Sequence, residues 1–294
     1  MHDNVPYSGP IATLQSSGAA LDTLDPKQVM QLLRSRGAVL FRGFAADPVA
    51  FKAFTERFCG RFLKHPLRKL RPKQTADGTI AEVLIGNDSV SLHGEMKYNP
   101  FPPDILWFHC VQPAVSGGQT VIADGRQILA ALSADTRRQF ETKRIRYYTL
   151  LDPSIWRALI PVKHRRAAVL IVNLIPKCSA RSAGQEDILM EFVTDAIRKS
   201  GPDKLPGFVN SIENALEYGV DVSYADGERI PPAVLDDIRR AGLACAHDIE
   251  WQANDVVMID NSRIMHGRRG FEGNERKINV RFGMLALRYK RYLS

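Results

Sequence analysis

The apolar residues of this chain come in short runs of strand length. Ile105–Val111 (ILWFHCV), Thr120–Ala123 (TVIA) and Asp255–Ile259 (DVVMI) are the clearest. Further candidate strands are Ala38–Phe44, Thr79–Ile85, Arg144–Leu150, Ala167–Val172, Ala246–Trp251 and Lys277–Leu287. The strongest apolar run, Ala167–Pro176 (AAVLIVNLIP), falls well short of the ~20 residues a bilayer requires and contains Asn173, so no membrane span is expected.

Helix signals alternate with these runs. Asp25-Pro26 and Asp47-Pro48 each read as an N-cap followed by proline at the first helical position, and Gly37 stands where a helix would end. The second of these helices is expected to run to about Gly60. Asp124 is a candidate cap for a helix into Leu132, and Ala134–Lys143 is another helix candidate. Glu186–Lys199 shows helical spacing at Ile188, Leu189, Phe192 and Ile197, and Pro231–Ala241 reads as a helix ended by Gly242. The pattern predicts an α+β fold: an antiparallel jelly-roll core wrapped by helices, with a helical insertion at about 173–243 and the whole of 1–294 as one domain.

Composition narrows the functional classes. With 45% hydrophobic and 24% charged residues, the chain is neither disordered nor a small disulfide scaffold. Cys59, Cys110, Cys178 and Cys245 are scattered with no CxxC pair, and no secretory signal is visible, so a cytoplasmic protein with reduced thiols is expected. The net charge of +8 would suit an acidic partner: nucleic acid, an anionic small molecule or an acidic carrier protein. The basic clusters at His65–Lys73, Arg137–Arg146, Lys163–Arg166 and Arg288–Arg291 lack interleaved aromatics, which favours solvated faces over a nucleic-acid groove.

Chemistry is signalled by one pattern. His93 is the one histidine with an acid two positions on, Glu95, and in extended backbone both side chains share a face. His266, just past the strand DVVMI in the segment Asp260–Arg268, offers a second imidazole. Two histidines and one carboxylate make the facial triad of non-haem iron(II) oxygenases, which leaves positions open for a bidentate co-substrate and O2. A keto-acid chelating that metal needs its far carboxylate held by a cation and a hydroxyl. Arg276, across an expected FEGNE hairpin, and Thr120, after Gly117-Gly118-Gln119, supply this pair, with Lys277 and Arg281 as rival cations. Strand alternation puts Arg276 on one face and both rivals on the other.

These motifs carry a family resemblance. Leu92-His93-Gly94-Glu95-Met96, Leu106–Pro113, Gly117–Thr120 with Ala123-Asp124, and the stretch from Trp251 through Asp255, Asp260-Asn261 and His266-Gly267-Arg268 to Phe271 and Arg276 resemble the taurine-dioxygenase-like (TauD/TfdA) iron(II)/2-oxoglutarate oxygenases. The Glu95 variant of the metal motif is similar to the branch containing clavaminate synthase and the amino-acid hydroxylases of peptide natural-product pathways. The resemblance implies a double-stranded β-helix fold, Fe(II) on His93, Glu95 and His266, and 2-oxoglutarate held at Arg276 and Thr120. It leaves a cofactor or substrate role open for Arg281, because the second arginine of other members falls here on Val280.

The resemblance further implies hydroxylation of an unactivated C–H bond in an amino acid or amino-acid-derived intermediate, free or tethered to a carrier protein, with succinate and CO2 as co-products. Oxidative desaturation, cyclisation or epoxidation would use the same cofactors. Halogenation is disfavoured because Glu95 fills the position a halide would need. A nucleic-acid-directed protein using the basic clusters is the alternative from another class. Asn87 and Asp88 read as turn residues near the pocket, and His109 as either a core histidine or one backing the metal ligands.

Overall fold

Asp25 and Asp47 cap their helices as the sequence predicts. The Asp25 carboxylate accepts from the Lys27 N–H, Pro26 opens α1 (Pro26–Arg36), and Gly37 closes it at φ +96°, donating to the Leu33 carbonyl. Asp47 accepts from the Ala50 N–H at the start of α2 (Pro48–Glu56). This helix stops at Glu56 rather than near Gly60, because the chain turns into a strand at Cys59. The computed structural model describes residues 9–64, 75–83, 86–273 and 275–293. The His65–Lys73 cluster, the end of the Thr79–Ile85 run and part of the FEGNE segment lie outside them.

The strands in the first half are β1 (Ile11–Gln15), β2 (Ala38–Arg42), β3 (Cys59–Leu63), β4 (Ile80–Glu82), β5 (Val90–His93), β6 (Ile105–Gln112) and β7 (Thr120–Asp124). Next come α3 (Gly125–Ala131), α4 (Ala134–Thr142), β8 (Ile145–Leu151), α5 (Pro153–Leu159), α6 (Arg165–Asn173), β9 (Cys178–Ala183), β10 (Asp187–Thr194), β11 (Ile197–Ser200) and β12 (Leu205–Phe208). The chain continues through α7 (Ile212–Glu217), β13 (Asp221–Tyr224), α8 (Pro232–Ala244), β14 (His247–Ile249), β15 (Val256–Asp260), β16 (Ile264–Arg268), β17 (Lys277–Leu285) and α9 (Leu287–Lys290).

Two sheets make the expected jelly roll. The larger has the order β1-β2-β15-β6-β17-β3, with β4 also on β17; the smaller has the order β14-β7-β16-β5. Alternation along each strand divides the apolar residues between layers. Leu106, Phe108 and Cys110 of β6 join Val257, Ile259, Ile278, Val280 and Phe282 of the same sheet, and these meet Ile122, Ile249 and Ile264 of the other sheet. The opposite face of the large sheet, with Ile105, Trp107 and Met258, packs under α1 and α2 through Val29, Leu33, Phe51 and Phe54. His109 belongs to this outer face, stacked on Phe51 at 5.0 Å, so of its two expected places it takes the core and does not back the metal motif.

The middle of the chain departs from the sequence reading. Ala167–Val172 is helical, within α6. Ala168 and Val172 turn inward one helical turn apart while Leu170 stays in solvent, a pattern that a period of two cannot give. Glu186–Lys199 is not a helix but β10 and β11, with Ile188, Phe192 and Thr194 buried at alternate positions. The insertion is therefore largely β: β9, β10 and β13 join β8 in a four-stranded sheet, β11 pairs with β12, and α7 and α8 are its helices. Gly242 does not end α8, which runs on to Ala244. His266 lies inside a strand rather than past one.

Candidate active site

β5 and β16 are neighbours in the smaller sheet, and their register sets His93 directly opposite His266. The two rings stand 4.2 Å apart between centroids. Glu95 follows β5 by two residues and turns back so that its Oε2 lies 3.9 Å from His93 Nε2 and 3.6 Å from His266 Nε2. One ligand atom from each residue can be chosen so that all three lie within 4.8 Å of one another. The donor set fits a divalent metal: two imidazoles and one carboxylate at the wall of a cavity. His93 Nδ1 is 2.8 Å from the Ser91 carbonyl, which fixes its proton there and leaves Nε2 as the lone-pair donor.

The backbone that carries the Glu95 carboxylate is held in place by Asn261. Its Oδ1 accepts from the Glu95 N–H at 2.8 Å, and its Nδ2 donates to the Glu95 carbonyl at 3.0 Å and to the Pro103 carbonyl at 2.8 Å. Met96, the next residue, sits at φ +56°, a left-handed conformation that costs a side-chain-bearing residue about 1–2 kcal/mol. The tertiary contacts of this turn have to offset that cost.

Arg276 and Thr120 meet in the same cavity. Arg276 donates through Nε to the Gly118 carbonyl at 2.8 Å, and its Nη2 lies 3.5 Å from the Thr120 hydroxyl, which also accepts from Trp251 Nε1 at 3.1 Å. Gly118, at φ +70°, lets the guanidinium pass close: a Cβ there would lie 2.9 Å from Arg276 Cδ. Burial, with the Arg268 charge nearby, holds the Arg276 guanidinium down to about 10, so it remains a cation at neutral pH.

His93, Glu95, His266, Thr120 and Arg276 thus line one cavity, with Val83, Val90, Phe108 and Val280 as apolar wall. Arg281 is not among them. It lies on the opposite face of β17, only 1% exposed, donating to the Lys52 carbonyl, Thr55, Glu56 and Thr79 and stacked over Phe62. The alternation noted in the sequence accounts for this: Val280 faces the cavity, so its neighbour faces α2. Lys277 is exposed at the start of β17. The cofactor role left open for Arg281 is therefore replaced by a structural one.

The cavity's second cation is Arg268, which was legible in the motif but carried no assigned role. It sits two residues after His266 on β16, opposite Thr120, and donates to the Asp88 carbonyl at 2.7 Å. Spacing of i and i+2 along a strand was the signal that could have found it. Asn87 and Asp88 border an adjoining open cleft with Ser116 and Glu272, and their bend is the turn expected of them.

Comparison with known proteins identifies the family. The sequence profile of the Taurine catabolism dioxygenase TauD, TfdA family matches residues 6–281. The chain belongs to that family. It is thereby an oxygenase of the Fe(II)/2-oxoglutarate class that its motifs resemble. It is 26% identical over 296 residues to the dapdiamide synthesis protein DdaC of Enterobacter agglomerans, covering 92% of this chain and 89% of that one. The crystal structure of PvcB from Pseudomonas aeruginosa shares the fold with a TM-score of 0.62 at 18% identity, over 93% of this chain and 85% of the other. AAD-2 in complex with Mn(II) and N-oxalylglycine matches with a TM-score of 0.60 at 16% identity, over 93% of each chain. Among the described residues no helix is long and apolar enough to cross a membrane.

Proposed function

We propose that His93, Glu95 and His266 hold Fe(II), that Arg276 and Thr120 hold the far carboxylate of 2-oxoglutarate, and that the protein hydroxylates an unactivated C–H bond of an amino acid or an amino-acid-derived intermediate. The observation that carries this reading is the convergence of the triad and the Arg276–Thr120 pair on one cavity. Iron(II) with 2-oxoglutarate supplies the oxidising chemistry, consuming O2 and releasing succinate and CO2. The chain's own residues set the geometry. The Ser91 carbonyl and Asn261 aim two of the metal ligands, Arg276 fixes the co-substrate's far end, and Val83, Val90, Phe108 and Val280 exclude water from the reacting carbon.

Charge supports an anionic or zwitterionic substrate. Glu95 is the one carboxylate among the cavity-lining residues, against two guanidiniums. A divalent metal and dianionic 2-oxoglutarate cancel each other, so the cavity keeps net positive charge for the substrate's acid group. Natural-product chemistry is supported by the likeness to a dapdiamide synthesis protein and to PvcB, an Fe, alpha-ketoglutarate dependent oxygenase from an isonitrile synthetic pathway. The substrate would arrive free or on an acidic carrier protein.

The test is succinate release from anaerobically loaded enzyme exposed to O2 with a panel of amino acids, followed by product mass. A gain of one oxygen is expected; a loss of two hydrogens would move the assignment to desaturation or cyclisation. No amino acid raising succinate above the substrate-free rate would refute the substrate class. His93→Ala and His266→Ala should each abolish metal binding and turnover.

A further inference from the structure

The segment between Asp152 and Glu186 contains six Lys or Arg and no Asp or Glu, so it holds most of the chain's net +8. In the structure it forms α5, α6 and β9. Its inward side is spoken for: Trp156 and Ala168 pack with Leu151 and Ile188 against the β8–β10 sheet. Its outward side is not. Leu170 is 67% exposed, Ile171 38% and Leu174 83%, and together they make an apolar strip along one face of α6. Arg166, one turn before Leu170, and Lys163 just ahead of the helix frame that strip, and among the described residues neither has an ion-pair partner.

The helix itself gains nothing from this arrangement. Cations in a first turn oppose the helix dipole by roughly 0.3–1 kcal/mol each, and exposed leucines add no burial. An apolar centre with a one-signed charged rim is the anatomy of a protein-docking patch. Nucleic acid fits poorly, because the strip offers no aromatic ring to stack on a base. A bilayer surface fits poorly for want of Trp or Phe on so short a helix. A second copy packed symmetrically would bring the same acid-free segments face to face, cation against cation.

We propose that the outward face of α6 docks an acidic carrier domain that delivers the substrate to the cavity. The identity of the cargo rests on the oxygenase reading above; the docking itself does not. An acidic helical carrier would seat Leu170 and Leu174 in an apolar groove and set carboxylates against Lys163 and Arg166.

The experiment is fluorescence-anisotropy titration of the full-length protein, at two salt concentrations, against a panel of purified phosphopantetheinylated peptidyl carrier domains, with a DNA duplex and phosphatidylglycerol-containing vesicles alongside. Binding of at least one carrier, weakened by salt and at least tenfold by Leu170→Asp/Leu174→Asp and by Arg166→Glu, is expected. Both variants change exposed residues, and unaltered circular dichroism together with unaltered 2-oxoglutarate binding checks that they fold. Carrier binding that ignores these substitutions, binding only to DNA or vesicles, or no carrier binding at all overturns the proposal. Loss of 2-oxoglutarate turnover in the wild type with carrier binding intact would instead strike the oxygenase reading and leave the docking face standing.

Discussion

Asn261 brackets the peptide of Glu95, accepting from its N–H at 2.8 Å and donating to its carbonyl at 3.0 Å. Asn261 lies at the end of β15, a short turn before His266 on β16, so one buried amide ties the acid of the first metal motif to the strand that carries the second imidazole. Asn261→Ala would leave three buried backbone partners unsatisfied, at about 1–3 kcal/mol each. Outer partners of metal ligands typically contribute 10–100-fold in affinity. We expect Mn(II) affinity, measured by calorimetry on the apoprotein, to fall by about that factor while Asn261→Asp retains part of it. An unchanged affinity for Asn261→Ala would remove Asn261 from the site.

The two arginines of β17 and its approach should separate cleanly. Arg276→Leu removes the guanidinium proposed to clamp 2-oxoglutarate and should weaken 2-oxoglutarate binding by roughly 30- to 1,000-fold with little change in melting temperature. Arg281→Leu should do the reverse, because it breaks the buried contacts to Lys52, Thr55, Glu56 and Thr79. A stability loss on the order of 2–4 kcal/mol is expected. Calorimetric titration of the Mn(II)-loaded variants beside urea unfolding reads both effects; a 2-oxoglutarate defect confined to Arg281→Leu would reverse the assignment.

Asp124 and Arg263 form a buried ion pair at 2.6 Å, and Arg263 also donates to the Arg34 and Ser35 carbonyls at 3.0 and 3.2 Å. This pair joins the end of β7 to the β15–β16 turn and to α1. Breaking one side of such a pair strands the other charge, so Asp124→Asn should cost about 3–5 kcal/mol. Denaturant midpoints at constant m-value check it. A loss below 1 kcal/mol would show that the network re-forms around the amide.

Burial pushes the Glu213 carboxyl above its ordinary 4.5, against the opposing pull of Arg239 at 3.2 Å. The folded state therefore keeps this proton at pH values where the unfolded chain has released it. The stabilising contribution is full below about pH 4.5 and is lost as pH rises through the folded value. Glu213→Gln should flatten that slope. Urea midpoints compared at intervals from pH 4 to 7 are expected to favour the variant increasingly as pH rises; parallel curves would contradict it.

The site was more legible than the middle of the fold. His93, Glu95, His266, Thr120 and Arg276 are set by strand register and tight turns, and both leave local marks: an i, i+2 spacing and a Gly-Gly turn. Arg281 was decided by alternation alone, and that rule already pointed away from the cavity. The region from Ala167 to Lys199 misled because its apolar residues satisfy both periods over short windows. Only packing against β8 and its partners selects a helix for Ala167–Val172 and strands for Glu186–Lys199. Asn261 acts through Glu95, a partner distant in sequence, so no local pattern could reveal its role, whereas Arg268 lay within reach of the same i, i+2 spacing counted from His266.

His93 and His266 face each other across β5 and β16 although most of the chain separates them in sequence. A nascent polypeptide emerging from the ribosome carries its first ligand and its acid long before the opposing imidazole exists. On the proposed ligand set, metal capture would be a late event in biogenesis, and the ion would act as a rivet across two strands already brought together, adding its binding free energy to the finished barrel and none to a truncated one.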